Sequence, residues 1–263
     1  MGSLGEDLLD KGRYFVILSG SSSRVRASDV ATELRGRYID RLVLPFSFKE
    51  FLRVRGFEQE FLEVPEKRGK LLNYLRDYVL NGFLPEVVLR PEMASDLVRT
   101  YRQTIIYRDI IERYRVRDAA FFETFLEIIE NNFGGYVSIT KLSNYFRSLG
   151  ISKSKRTLSN YLKYLEESYY VILVRRFGFS SREVIKQPRK VYPIDTAYFR
   201  RRSIGPMMEG VVAVELMRRG LNYSYLKVND YEVDFIINQE PGSTSKSPTH
   251  RQWTKSIGGS SRP

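Results

Sequence analysis

Residues Gly134 to Asp195 read GGYVSITKLSNYFRSLGISKSKRTLSNYLKYLEESYYVILVRRFGFSSREVIKQPRKVYPID, and their patterning predicts two helices followed by a β-ribbon. Leu142, Tyr145, Phe146 and Leu149 fall at i, i+3, i+4 and i+7, one face of a helix that Gly150 ends. A tight turn follows. Ser152 or Ser154 then caps a second helix whose Leu158, Tyr161, Leu162, Leu165 and Tyr169 form an apolar stripe, with Arg156, Asn160 and Lys163 opposite. Val171 to Val174 are β-formers, Arg175 and Arg176 open a turn-rich segment with Gly178, Ser180 and Ser181, and Lys190 to Ile194 return as the partner strand. Upstream, Ala119 to Asn131 has helical spacing, with Phe122, Phe125, Leu126 and Ile129 inside and Gly134-Gly135 as its stop.

This order resembles a winged helix-turn-helix. In that reading the second helix enters a major groove of double-stranded DNA, Asn160 meets a base edge, and Lys155, Arg156 and Lys163 meet phosphates. The candidate DNA-binding set is Lys153, Lys155, Arg156, Ser159, Asn160, Lys163, Arg175, Arg176, Arg182 and Lys190. The competing reading is that the helix packs on a neighbouring domain and its charges are a solvated face, since winged helices also serve as spacers.

Composition narrows the chemistry. The 263 residues are 42% hydrophobic and 13% aromatic, enough for a packed core of one large or two small domains. No apolar run approaches bilayer length, and MGSLGEDLLDKGR lacks the apolar core of a signal peptide, so a cytoplasmic protein without a membrane partner is expected. The chain has no cysteine, which excludes disulfides, thiolate metal sites and cysteine nucleophiles; its one histidine, His250, lies in a polar tail. A formal net charge of +12 favours a polyanionic partner, against the plainer reading of a generic basic surface.

Toward the N-terminus, Tyr14 to Leu18 reads as a short buried strand that ends in Ser19-Gly20-Ser21-Ser22-Ser23. Asp29 to Leu34 reads as a helix closing at Arg35-Gly36-Arg37, Asp40 to Leu44 as a strand, and Pro45 onward as a helix with Phe48, Phe51 and Leu52 inside. From about Gly69 to Arg117 the chain looks wholly helical. Leu71, Leu72, Leu75, Tyr78 and Val79 form a stripe stopped by Gly82 and Pro85, and Leu97, Val98, Tyr101, Ile105 and Ile106 begin a longer helix. Arg99, Arg102, Arg108 and Asp109 are read as solvated polar-face charges on it.

The string FVILSGSSSRVRASDVATELRGRYIDRLVLPFSFKEFL resembles the end of the ATPase core in a family of archaeal and bacterial AAA+ ATPases with a C-terminal restriction-endonuclease-like domain. The resemblance continues through LNGFLPEVV, IIYRDIIERYRVRD, PRKVYPIDTAYF, MMEGVVAVELMRRG and YEVDFII, covering roughly Leu8 to Ile237. It implies ATP and magnesium as the family's cofactors. Ser19 and Ser21 then hold the sensor position near the γ-phosphate, and Arg35 or Arg37 acts on that phosphate. The family's phosphate-binding loop and acidic strand would lie upstream of Tyr14, and no GxxxxGK[ST] occurs, so the chain is expected to carry no cofactor by itself. A helix cap at Ser19 and Ser21, with the arginines paired to nearby acids, is the plainer reading.

Past Tyr198, Glu209 opens a predicted helix to Arg219 and Gly220. Tyr223 to Lys227 and Glu232 to Ile237 are predicted strands joined at Asn229-Asp230, with Glu232 and Asp234 on one side. This is similar to the start of a PD-(D/E)xK nuclease, in which Glu209 and Asp234 match the first two acids. No Glu-x-Lys strand follows, so neither the last carboxylate nor the lysine is supplied and nuclease activity is not expected. Residues 239–263 are Gly/Ser/Thr/Lys-rich and read as disordered.

The expected fold class is therefore mixed α/β and mostly helical, in five parts. These are the end of a parallel P-loop ATPase sheet (1–44), a helical lid (45–117), a winged helix-turn-helix (118–195), a partial PD-(D/E)xK-like fold (196–238) and the tail. The expected function is DNA binding by a truncated AAA+-family protein without its own ATP-hydrolysis site. The alternatives are a subunit acting in trans on an intact ATPase relative through Arg35 or Arg37, or the remnant of a broken gene.

Overall fold

The computed structural model describes residues 17, 20, 39, 41–57, 64–178, 187–200, 203–229 and 231–237. Ser19, Ser21, Arg35, Arg37 and Arg182, most of the segment expected as the ATPase sheet remnant and the expected disordered tail lie outside the described residues; residues 41–44, expected to end a strand that begins at Asp40, are described and form no strand. The described chain is mixed α/β and mostly helical, and its sheets are small and antiparallel.

Helix α1 (Phe48–Val54) starts at a capping box in which Ser47 and Glu50 bond each other's backbone N–H, and it buries Phe51 and Leu52. Helix α2 (Pro65–Asn81) opens on proline and ends at Gly82, whose φ of 89° only glycine adopts readily. Two short helical pieces, α3 (Pro85–Leu89) and a 3-10 turn (Pro91–Met93), lead into α4 (Ala94–Thr104), which continues as a π-helical segment (Ile105–Glu112). The region expected to be wholly helical is thus helical in pieces, broken at Gly82 and at the prolines.

Next come α5 (Ala119–Asn131), β1 (Tyr136–Val137), α6 (Ile139–Ser148), α7 (Lys155–Glu167), β2 (Val171–Val174) and β3 (Arg189–Pro193). The three strands form an antiparallel sheet in the order β1-β3-β2. After a 3-10 turn (Thr196–Tyr198), α8 (Ile204–Arg218) precedes a hairpin of β4 (Tyr223–Val228) and β5 (Tyr231–Ile237), turned through Asn229 at φ 53°. A parallel bridge between Arg176 and Tyr225 joins the hairpin to the end of β2.

One hydrophobic core runs through the described residues, from Phe51, Tyr78 and Phe83 through Phe122, Phe125, Leu158 and Leu162 to Tyr192, Met207 and Val214. Two buried acids fasten its parts. The Glu130 side chain, 1% exposed, meets Arg102 at 2.6 Å, Arg200 at 2.7 Å and the Tyr170 hydroxyl at 2.5 Å, so one carboxylate ties α4, α5, the start of β2 and the segment after β3. Burial lowers the Arg102 pKa, but the Glu130 hydrogen bond and charge outweigh it and hold that guanidinium protonated.

Asp195 is fully buried and accepts backbone N–H bonds from Phe83 at 2.8 Å and Ala197 at 2.8 Å; among the described residues no cation pairs with it. Desolvation pushes its carboxyl up to about 7, against the backbone donors that pull it down. A Cβ at position 82 would overlap the Asp195 carboxylate and Ala197, so Gly82 is required by space as well as by φ.

Candidate functional site

The capping residue of α7 is Ser154, whose hydroxyl accepts from the Thr157 N–H at 3.0 Å. Leu158, Tyr161, Leu162 and Leu165 are buried, with Tyr161 packed on the rings of Phe121, Phe122 and Phe125, which fixes the rotation of the helix. That rotation leaves Lys155, Arg156, Ser159, Asn160 and Lys163 exposed together on the outer face. Arg156 and Asn160 make no side-chain hydrogen bond or ion pair among the described residues. Lys155 touches the Thr140 hydroxyl at 3.4 Å, and Lys163 pairs at 3.5 Å with Glu167 one turn on, a solvated pairing that yields easily to a phosphate.

Other members of the expected set are placed differently. Lys153 is pinned by Asp118, the N-cap of α5, at 2.7 Å and lies over the Phe121 ring, so it staples α5 to the turn before α7. Arg175 is exposed at the end of β2. Arg176 bonds the Lys227 carbonyl at 2.6 Å and Gln187 at 3.3 Å, which commits it to holding the β4–β5 hairpin.

Lys190 corrects the sequence expectation. It lies on β3 with its side chain 4% exposed, and its Nζ meets Glu232 at 2.5 Å, Asp234 at 2.6 Å and Glu209 at 3.3 Å. An ammonium enclosed by three carboxylates is not available to a phosphate. Burial lowers its pKa, but the hydrogen bonds to Asp234 and Glu232 prevail and hold it above the ordinary lysine value. Burial likewise pushes the Glu232 carboxyl up, and the Lys190 hydrogen bond outweighs that and leaves it below the usual range.

The Tyr192 hydroxyl adds a bond to Glu209 at 2.6 Å. Glu209 and Asp234, which sequence reasoning pairs as nuclease-like acids, are therefore brought together, with Glu232 beside them. The lysine they meet comes from β3 rather than from a strand after β5. Among the described residues, no group of three or more acids and histidines is placed to hold a metal ion. With Nζ at its centre, the cluster acts as an ionic joint that fastens α8 and the β4–β5 hairpin to β3.

Two charges expected to be solvated are also placed otherwise. Arg102 engages Glu130, and Asp109 is buried at 7% exposure. No helix of the described residues is long and apolar enough to cross a membrane.

Comparison with known proteins gives two family matches. Residues 6–52 match the AAA domain family, and residues 72–202 match a domain of unknown function, DUF8612. The chain is similar to MJ1544, an uncharacterized protein of Methanocaldococcus jannaschii, at 30% identity over 239 residues, covering 87% of this chain and 54% of the relative. An uncharacterized protein of Haemophilus influenzae is 27% identical over 233 residues, covering 85% of this chain and 56% of the relative. The chain spans about half the length of these curated relatives. No solved structure matches. The match over residues 6–52 supports an AAA-like, ATPase-type family.

Proposed function

We propose that this protein of AAA-like type binds duplex DNA through residues 118–195 acting as a winged helix-turn-helix, with α7 as the recognition helix. The order α5, β1, α6, α7, β2, β3 and the sheet order β1-β3-β2 support that reading. One observation carries it: Lys155, Arg156, Ser159, Asn160 and Lys163 share the exposed face of a helix whose other face is locked into the core. From Arg156 to Lys163 the helix advances about 10 Å, close to three base pairs of duplex, so one amide and its flanking cations span a short groove segment. Arg156 and Lys163 would neutralise phosphates, and Asn160 would meet a base edge.

Fluorescence anisotropy with a labelled duplex tests this. Binding at low salt should weaken linearly in log–log coordinates as salt rises. Reversing Lys155, Arg156 and Lys163 to glutamate should lower that slope by about 3, roughly one for each phosphate no longer neutralised. An absence of binding at low salt, or a triple variant that binds like the parent, would sink the proposal.

A second reading rests on the AAA domain match, which encloses Ser19, Ser21, Arg35 and Arg37. In it the chain joins an intact ATPase relative, bound to ATP and magnesium, and supplies Arg35 or Arg37 to the transferred phosphate. Adding the chain to that relative should then change its turnover, and Arg37→Ala should remove the change; unaltered turnover would refute it.

A further inference from the structure

Arg189, the first residue of β3, pairs along one edge with Val137 of β1. Along the other edge Val174 of β2 faces Lys190, so one step further in the same register Arg175 stands opposite Arg189. Directly opposed residues of antiparallel strands share a face of the sheet, and like charges so placed repel. Lys190 points to the face where Glu209, Glu232 and Asp234 lie. By alternation Arg189 and Arg175 point to the other face, toward the end of α7, where Glu166 is the acid near both.

That acid does not neutralise the pair. Arg175 is exposed, Arg189 and Glu166 are half-buried, and among the described residues none of the three makes a side-chain hydrogen bond or ion pair. Burial, then the Arg175 charge, pull the Arg189 guanidinium below its ordinary value, against the pull of Glu166. Burial also pushes the Glu166 carboxyl up, although Arg175, Arg189 and Lys163 all act to lower it. Two guanidiniums thus face one carboxylate that bonds neither, and half-buried donors are left unmet. Such donors cost free energy until an acceptor reaches them. A phosphate group suits the place, because its oxygens accept from two planar guanidinium forks at once and its charge cancels their repulsion.

We propose that Arg175 and Arg189 clasp one backbone phosphate of the duplex at the base of the β2–β3 ribbon, and that Glu166 weakens the clasp by competing for the same guanidiniums. The clasp rests on the DNA reading of α7 and goes beyond it. It adds Arg189, a residue of the sheet rather than of the helix, and gives an acid an opposing role. Lys163 of α7 acts on the same Glu166, so the cations of helix and ribbon adjoin. A phosphate held at the ribbon would fix the register of α7 along the groove without reading sequence.

Anisotropy with a labelled duplex over a range of salt, on the full chain, tests the clasp. Arg175→Met and Arg189→Met together should lower the log–log slope by about 1, since two arginines share one phosphate, and should do so on duplexes of any sequence. A fall of about 2 would mean two separate phosphates, and no fall would mean two solvated charges; either overturns the clasp. Glu166→Gln should tighten binding about two- to fivefold, the scale of one partly solvated charge pair, and unchanged or weaker binding overturns its opposing role. Arg189→Met removes a repulsion from the free protein, so its melting temperature should hold or rise; a marked fall would make Arg189 a brace of the sheet instead. Arg175→Met alone, at an exposed position, should weaken the duplex about threefold and carries the test should the Arg189 variant misfold. If the parent chain binds no duplex at low salt, the DNA reading and the clasp fall together. If it binds, and the α7 triple variant weakens while the Arg175 and Arg189 variants do not, the clasp alone falls.

Discussion

Replacing Lys190 by methionine keeps most of the aliphatic volume and deletes the ammonium at the centre of the ionic joint. In the wild type that ammonium lies 2.5 Å from Glu232, 2.6 Å from Asp234 and 3.3 Å from Glu209; in the variant three carboxylates face one another without their counter-charge. Breaking a fully buried pair from one side destabilises by about 3–5 kcal/mol. Here the lysine is buried but the acids are 26%, 29% and 48% exposed, so water recovers part of the loss, and we expect about 2–3 kcal/mol at neutral pH. That corresponds to a melting temperature lower by roughly 5–10 °C for a chain of this size.

Urea titration followed by far-ultraviolet circular dichroism measures the difference, and pH supplies its signature. The Glu232 carboxyl is held below its ordinary value of 4.5 in the folded protein, so its contribution is present above that value and is lost as pH falls through the folded pKa. The penalty of Lys190→Met should therefore shrink as Glu232 is protonated. Adding Glu232→Gln and Asp234→Asn to the variant should recover stability at pH 7. A difference below about 0.5 kcal/mol, or one undiminished between pH 7 and pH 4, would refute the assignment of Lys190 as the joint.

Glu130→Ala strands Arg102, Arg200 and Tyr170 around a buried vacancy and should destabilise by about 3–5 kcal/mol, whereas Arg99→Ala, at an exposed pair on the same helix α4, should change stability by less than about 0.5 kcal/mol. Asp195 has a folded pKa of about 7, raised from an ordinary 3.8, so the folded state binds the extra proton between those values and stability falls as pH rises across that window. At most this contributes about 4 kcal/mol, and Asp195→Asn should flatten the unfolding free energy between pH 4 and pH 7 relative to the wild type. Gly82→Ala meets both a positive φ and the Asp195 carboxylate and should lower stability by more than about 2 kcal/mol by chemical denaturation, while Gly69→Ala, mid-helix in open space, should stabilise slightly.

The helices of the 118–195 region are legible because their apolar positions repeat at helical spacing and their ends carry caps. The helix expected over Ala119 to Asn131 has those bounds, and Val171 to Val174 is the strand expected. Tyr145 and Leu149, predicted inside by the same spacing, are 49% and 54% exposed. Helix α6 ends at Ser148, and its buried side is carried by Leu142, Ser143 and Phe146, so the stripe is narrower than periodicity suggests. The basic face of α7 follows from its period, since a helix with one apolar side must turn the other outward.

The role of Lys190 is not legible in the sequence. Its partners lie 19, 42 and 44 residues onward, on a helix and a hairpin that only tertiary packing brings to β3. A basic residue in a strand next to arginines reads as surface charge until those acids are placed beside it. Arg102 is opaque for the same reason, because Glu130 sits 28 residues away on another helix.

The clasp between Asp195 and Phe83 has a consequence for biosynthesis. Its two halves are 112 residues apart, so at ordinary elongation rates the donors of the helical half wait roughly 6–20 s on the ribosome before their acceptor is made. During that interval α2 and α3 lack the bond that fastens them to the later sheet, and Gly82 has nothing to approach. The helical half and the sheet-bearing half therefore lock together late, as one cooperative body. A nascent chain halted before Asp195 would hold its early helices without the fastening that makes them resistant to proteases.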